Sequence, residues 1–207
     1  MSVLLEIQYL PAIQYFAKLA IGEPVFIEQW EHYQKGSYRN RCHIAAANGL
    51  TRLTIPLIKG KNEQQGIRDV RIAYYESWQR QHWQSIRSAY GNAPFFEFYA
   101  DDLKPFYEKP YPFLFDFNLE ILQTMLCLLR LNVNLQLTES YQEKGNPGII
   151  DLRNTIHPRS HLHAADPHFT PVPYHQVFED RYDFLPNLSM LDALFCLGPG
   201  AVEMLVV

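Results

Sequence analysis

Three cysteines, Cys42, Cys127 and Cys196, are too few and too far apart for a disulfide framework, and none lies in a C-x-x-C spacing that would seed a zinc knuckle. They read as free thiols of a reducing compartment. The chain has no G-x-G-x-x-G, no G-x-x-x-x-G-K-[ST] and no G-x-S-x-G. That removes motif-borne dinucleotide binding, the phosphate-binding P-loop and the hydrolase nucleophile elbow. A basic excess is missing too: 18 Lys and Arg face 22 Asp and Glu, for a net charge of −4. A general nucleic-acid partner is therefore not expected, since such binders carry an excess of cations along one face. The opening "MSVLLEIQYLPAIQYF" has no basic start and holds Glu6, so it is not a signal peptide. The most apolar run, "FLFDFNLEILQTMLCLLRL", is broken by Asp116, Asn118, Glu120 and Gln123 and makes a poor membrane span. The expected setting is cytoplasmic and not membrane-spanning. No internal repeat stands out.

What is present is apolar and aromatic. Hydrophobic residues make up 47% of the 207 positions and aromatics 14%, enough for one sizeable domain over 1–207. "SVLLEIQYL" is a buried-strand run, and "AIQYFAKLAIG" has helical spacing, with Ile13, Phe16, Ala17 and Ala20 on one face, Pro11 at its first turn and Gly22 at its stop. "PVFIEQW" is a second strand. Strand, helix and strand in about 30 residues form a βαβ unit and favour a parallel pair. "SYRNRCHIAAA" and "LTRLTIPL" flank Asn48-Gly49 and read as a β-hairpin with a type I′ turn. "KGKNEQQG" is a polar loop and "IRDVRIAY" a further alternating strand. "SWQRQHWQSIRSAYG" is a helix between Ser77 and Gly91, "PFFEFYADDLKPFYEKPY" a broken helical stretch, and 112–131 a helix apolar on most sides, hence buried. "VNLQLTES" returns to strand pattern, and a final helix begins at Leu188 or Ser189 and stops at Gly198-Pro199-Gly200. Between them, about 143–175 is rich in Pro and His and irregular. The fold class expected is α/β: a mainly parallel sheet opening with a βαβ unit, an inserted β-hairpin and a buried helix.

Chemistry concentrates in "YQKGSYRNRCH". In an extended strand, Arg39, Arg41 and His43 point one way and Tyr38, Asn40 and Cys42 the other. Two guanidiniums so placed can fork onto a phosphate, with Lys35 upstream as a further cation and Asn40 inward holding the register. A solvated face paired to neighbouring carboxylates is the plainer reading. His82 lies between Trp78 and Ile86 on one helical face and is either a tuned acid–base group or a satisfied core histidine. His157, His161, His163 and His168 include an H-x-H spacing, but Asp166 is the only carboxylate among them. No metal and no cofactor are expected.

The segments "YLPAIQYFAKL", "HYQKGSYRNRCHI", "LTIPLIKGK", "HWQSIRSAYGNAPFFEFYADDL" and "FLPNLSMLDALFCLGP", in this order and spacing, resemble the WbqC-like protein family. The resemblance covers most of the chain. It implies a bacterial protein tied to O-antigen and other surface-polysaccharide synthesis. It departs where many relatives have Gln-Pro before the Tyr-Leu-Pro element and this chain has Ile7-Gln8-Tyr9, and where the His/Pro segment replaces a longer insertion. In that setting a small-molecule, phosphate-bearing sugar intermediate is the expected substrate, and the basic run read above, Lys35, Arg39, Asn40 and Arg41, is its expected anion site, with His82 or His43 as general base. Two functions fit: a transferase or other enzyme modifying that intermediate, or a non-catalytic binding or assembly protein of the same pathway. An enzyme requires a concave pocket; an assembly protein, a flat exposed aromatic patch.

Overall fold

The run "SVLLE" forms β1 (Ser2–Glu6), with Val3, Leu4, Leu5 and Glu6 all buried. A strand buried on both faces belongs at the middle of a parallel sheet covered on both sides, which is why it reads as an unbroken apolar run. β1 pairs in parallel with β2 (Val25–Glu28) on one edge and with β6 (Ile149–Asp151) on the other. β2 in turn pairs in parallel with β5 (Leu135–Leu137). The structure is a computed structural model and describes residues 2–58 and 65–205. Its described residues form an α/β architecture: this four-stranded parallel sheet, ordered β5–β2–β1–β6, a separate antiparallel hairpin and five α-helices.

The βαβ opening stands as expected. Helix α1 (Ile13–Ile21) links β1 to β2 and buries Ile13, Tyr15, Phe16, Ala17 and Leu19. Ala12 rather than Pro11 is its N-cap, so the proline lies just before the helix. The hairpin joins β3 (Arg41–Ala46) to β4 (Gly49–Thr54). Ala46 pairs with Gly49, so the two-residue turn is Ala47–Asn48, one position earlier than the Asn48-Gly49 turn. Gly49 still takes the positive φ, +92°, that a side chain would resist.

Helix α2 (Trp78–Tyr90), α3 (Phe96–Leu103) with a 3-10 turn at Lys104–Tyr107, α4 (Leu114–Leu128) and α5 (Met190–Leu197) enclose the remaining core. α4 is the expected buried helix: Leu114, Phe115, Phe117, Ile121, Leu122 and Met125 are all within 2% exposure. Each such side chain contributes about 1.5–3 kcal/mol on burial. Ser189 caps α5, its hydroxyl accepting from the Leu191 amide.

One expected strand does not form. "IRDVRIAY" is not a strand. Ile67–Asp69 is a 3-10 turn, and the rest pairs singly, with Ile72 N–H on the Pro112 carbonyl and Ala73 N–H on that of Pro56. The turn brings Ile67 and Val70 into one core, which alternation cannot do. The irregular region at 143–175 does contain an element, β6, which supplies the fourth sheet strand. The polar loop of 59–66 lies largely outside the described residues.

Candidate functional site

Strand order decides where a site can form. In chain order the parallel strands are first β1, then β2 and β5 to one side, then β6 back on the other side. Connections therefore diverge between β1 and β6, and in open parallel sheets ligands bind beyond the carboxyl ends of strands at such a reversal. Three of those ends close on a carboxylate: Glu6 on β1, Glu28 on β2 and Asp151 on β6, while Thr138 follows β5.

Each carboxylate is held. Arg153 donates Nε and Nη2 to Asp151 at 2.9 and 2.7 Å and Nη1 to Glu28 at 3.2 Å, clamping β6 to β2 across β1. Its guanidinium also lies 5.1 Å from the Tyr141 ring centre. Glu28 accepts further from the Thr138 hydroxyl and the Gln142 amide, each at 2.8 Å. Burial raises Asp151, but the Arg153 hydrogen bonds and charge outweigh it and hold the carboxyl below its usual value. Glu6 is 1% exposed and accepts from the Gln8 side-chain amide at 2.7 Å and the Asn154 backbone at 2.9 Å. Asn154 adopts φ +64°, a conformation few side chains tolerate outside such constrained places. Gln8 Oε1, Asn154 Oδ1 and Arg39 Nη1 are buried here without a hydrogen-bond partner.

Over this layer opens a cleft of about 500 Å³, lined by Glu31, His32, Tyr33, Gln34, Lys35, Tyr141, Lys144, Arg153 and Asn154. Its charges are only partly cancelled. Glu31 is bound by Arg39, and Arg153 by Asp151 and Glu28. Lys35 and Lys144 are exposed and form no ion pair among the described residues. The cleft suits a small polar molecule of negative charge.

The sequence-predicted residues distribute unevenly about it. Arg39, Arg41 and His43 do not share a strand face. Ser37 caps a 3-10 turn at Tyr38–Asn40, which turns Arg39 inward, and β3 begins only at Arg41. Arg39 is 0% exposed and donates Nε and Nη2 to Glu31 at 2.8 and 2.6 Å, so it meets the cleft through Glu31. Burial pushes the Glu31 carboxyl up, against the pull of Arg39. Asn40 is buried and donates to the Ile55 carbonyl at 2.9 Å, which fixes the hairpin's inner side. Lys35 lines the cleft directly. Arg41 and His43 are half-buried on the hairpin, where the Tyr38 hydroxyl lies 3.2 Å from His43 Nδ1.

His82 stands apart, in an aromatic core. Its Nδ1 is 3.0 Å from the Tyr9 hydroxyl, which is 2.9 Å from that of Tyr107, and Trp78 packs edge-on against its ring. Burial lowers its pKa to about 4 despite a hydrogen bond to the Thr54 backbone. His157, His161, His163 and His168 do not converge, and no three His, Cys, Asp or Glu side chains among the described residues form a metal-ligand group. His163 and His157 bond locally, and Asp166 is taken by Lys18 at 2.6 Å and Gln14 at 2.8 Å.

A parallel α/β domain with a polar cleft at the reversal of strand order is the class of protein defined so far. Within it, a model of the WbqC-like protein family matches residues 7–165, and the chain belongs to that family. It is also similar to the uncharacterized protein Rv1507c of Mycobacterium tuberculosis, with 28% identity over 141 residues, 67% of this chain and 60% of that one. The chain thus spans less than two thirds of that relative's length. No solved structure matches it. Among the described residues, no helix is long and apolar enough to cross a membrane.

Proposed function

We propose that the protein is an enzyme of bacterial surface-polysaccharide synthesis, of O-antigen type, which transfers a group to, or modifies, a phosphate-bearing amino-sugar intermediate held in the cleft. The family supports the pathway. The observation that carries the chemistry is the cleft itself: a concave space of about 500 Å³ at the carboxyl ends of the parallel strands, where Lys35 and Lys144 are exposed and form no ion pair among the described residues. Its size falls in the range of small-molecule sites, and its polar lining suits a sugar. Tyr141, exposed and stacked on Arg153, is a surface on which a sugar ring can rest. His43 does not line the cleft, and a role for it as proton acceptor requires the substrate to extend from the cleft onto the hairpin. Burial, with Arg52 and Arg41 adding to it, lowers its pKa and keeps the imidazole neutral. His82 serves the fold beneath.

The test is calorimetric titration of the wild type, Lys35→Gln and Lys144→Gln with nucleoside-diphosphate sugars at fixed ionic strength, with mass spectrometry of the mixtures after addition of acyl or glycosyl donors. Binding weakened about tenfold in each variant, roughly 1.4 kcal/mol, and a mass-shifted sugar are expected. A wild type that binds no phosphate-bearing sugar would refute the proposal. Binding without turnover under any donor would favour the binding or assembly protein.

A further inference from the structure

One face of the hairpin concentrates positive charge that the cleft does not account for. The register sets Arg41 opposite Thr54 and His43 opposite Arg52, so all four side chains leave the same side of the ladder. Arg52 lies diagonal to Arg41 on that face, two like charges as near neighbours, and the neutral His43 across from Arg52 supplies no counter-charge. A third arginine joins from the loop between β6 and α5. Arg159 Nη2 packs against Gly36, 3.2 Å from the point a Cβ would occupy there, and Gly36 holds φ +86°.

None of the three arginines forms an ion pair among the described residues. Among the described residues, the Arg41 side chain donates a long bond, Nη2 to Asn40 Oδ1 at 3.4 Å, and its Nε is buried without a partner. Its proton affinity is lowered, chiefly by burial. Tyr33 raises it, and Arg52 and Arg159 both lower it further. Arg52 and Arg159 are exposed, so water screens part of this repulsion, and a bound anion would relieve the rest at the half-buried Arg41.

The geometry points to Arg41, Arg52 and Arg159 as a binding site for a diphosphate group. Three planar forks suit the several acceptor oxygens of two phosphoryl groups better than a single carboxylate. The cluster is confined to one hairpin face and one loop of a chain with net charge −4, which fits a small anion and not a polynucleotide track. It adjoins the cleft: Gly36, against which Arg159 rests, follows Lys35, and Tyr33 both lines the cleft and interacts with Arg41. On the reading of the cleft as the sugar site, on which this extension rests, the diphosphate of a nucleotide-linked sugar lies on the arginines and the sugar in the cleft.

The test titrates inorganic diphosphate, then uridine diphosphate, then a uridine-diphosphate sugar into the wild type, Arg52→Gln, Arg159→Gln, Arg41→Lys and the remote control Arg87→Gln. Inorganic diphosphate should bind the wild type and Arg87→Gln alike, and bind Arg52→Gln and Arg159→Gln at least tenfold more weakly. Arg41→Lys should recover little, since an ammonium keeps the charge and loses the fork. Arg52→Gln should also melt no lower than the wild type, because the substitution removes a repulsion; a loss of binding through misfolding would lower it. Equal affinity in all variants, or no diphosphate binding to the wild type, overturns the site. Diphosphate bound at the arginines with no added affinity from the sugar leaves this site standing and removes the cleft reading. The converse result, sugar binding sensitive to Lys144 and indifferent to the arginines, does the reverse.

Discussion

Replacing Glu31 by Gln strips the charge from the carboxylate that is hydrogen-bonded to Arg39. The two side chains form a two-point contact, with both partners almost wholly inside the protein. A buried guanidinium without its counter-charge costs about 3–5 kcal/mol. Glu6 lies close enough to Arg39 to raise its proton affinity, so part of that charge is still met, and the lower end, about 3 kcal/mol, is expected. In a urea titration followed by tryptophan fluorescence, with a slope of about 1–3 kcal/mol per molar, the unfolding midpoint should fall by roughly 1–3 M. The double variant Glu31→Leu/Arg39→Met, which removes both charges, should be less destabilised than either single change, because neither partner is stranded. A midpoint shift under about 0.3 M for Glu31→Gln, or costs that add in the double variant, would refute the reasoning and return Arg39 to solvent.

His82 titrates at about 4 in the folded protein because of its burial, against about 6.5 in an unfolded chain. Above 6.5 neither state holds the proton. Between 6.5 and 4 the unfolded chain takes up a proton that the folded one rejects, so stability falls with pH by up to about 3 kcal/mol, and urea midpoints of a His82→Gln variant should lack that slope; parallel curves for both proteins would contradict it. Gly36→Ala forces a side chain to φ +86° and against Arg159, so it should lower the melting temperature by a few degrees, at about 1–2 kcal/mol, and weaken diphosphate binding in the same titrations. An unchanged melting curve would mean that the loop around Gly36 adapts freely.

The parallel opening was legible because β1, α1 and β2 each carry a strong period: two unbroken apolar runs around one amphipathic helix. α4 was legible for the same reason. β6 was not. Three residues in a segment full of proline give no period, and the strand exists because the β1 edge is open to pair with it. The basic run shows the limit from the other side. Alternation of Arg39, Arg41 and His43 presumes an extended backbone, whereas Ser37 is an N-cap residue that starts a turn; reading it so would have sent Arg39 inward. Arg52 escaped notice because a cross-strand partner depends on register, and the one-residue offset of the turn decides which residue faces His43. The carboxylates at the strand ends had a signal, an acidic residue closing "SVLLE" and "VFIE", but nothing local says that Arg153, 125 residues beyond Glu28, would bind Glu28 to Asp151. Tyr141 and Lys144 reach the cleft by the same long-range closure.

The most direct measurement of whether the cleft is a ligand site is a two-dimensional amide NMR titration of the isotope-labelled protein with a nucleoside-diphosphate sugar. The predicted result is a set of shifted resonances confined to 31–36, 141–144 and 153–154, extending to Arg41, Arg52 and Arg159 on the hairpin side. Shifts centred instead on a different open pocket, around Asn92, His175 and Arg181, or no shifts at millimolar ligand, would contradict it.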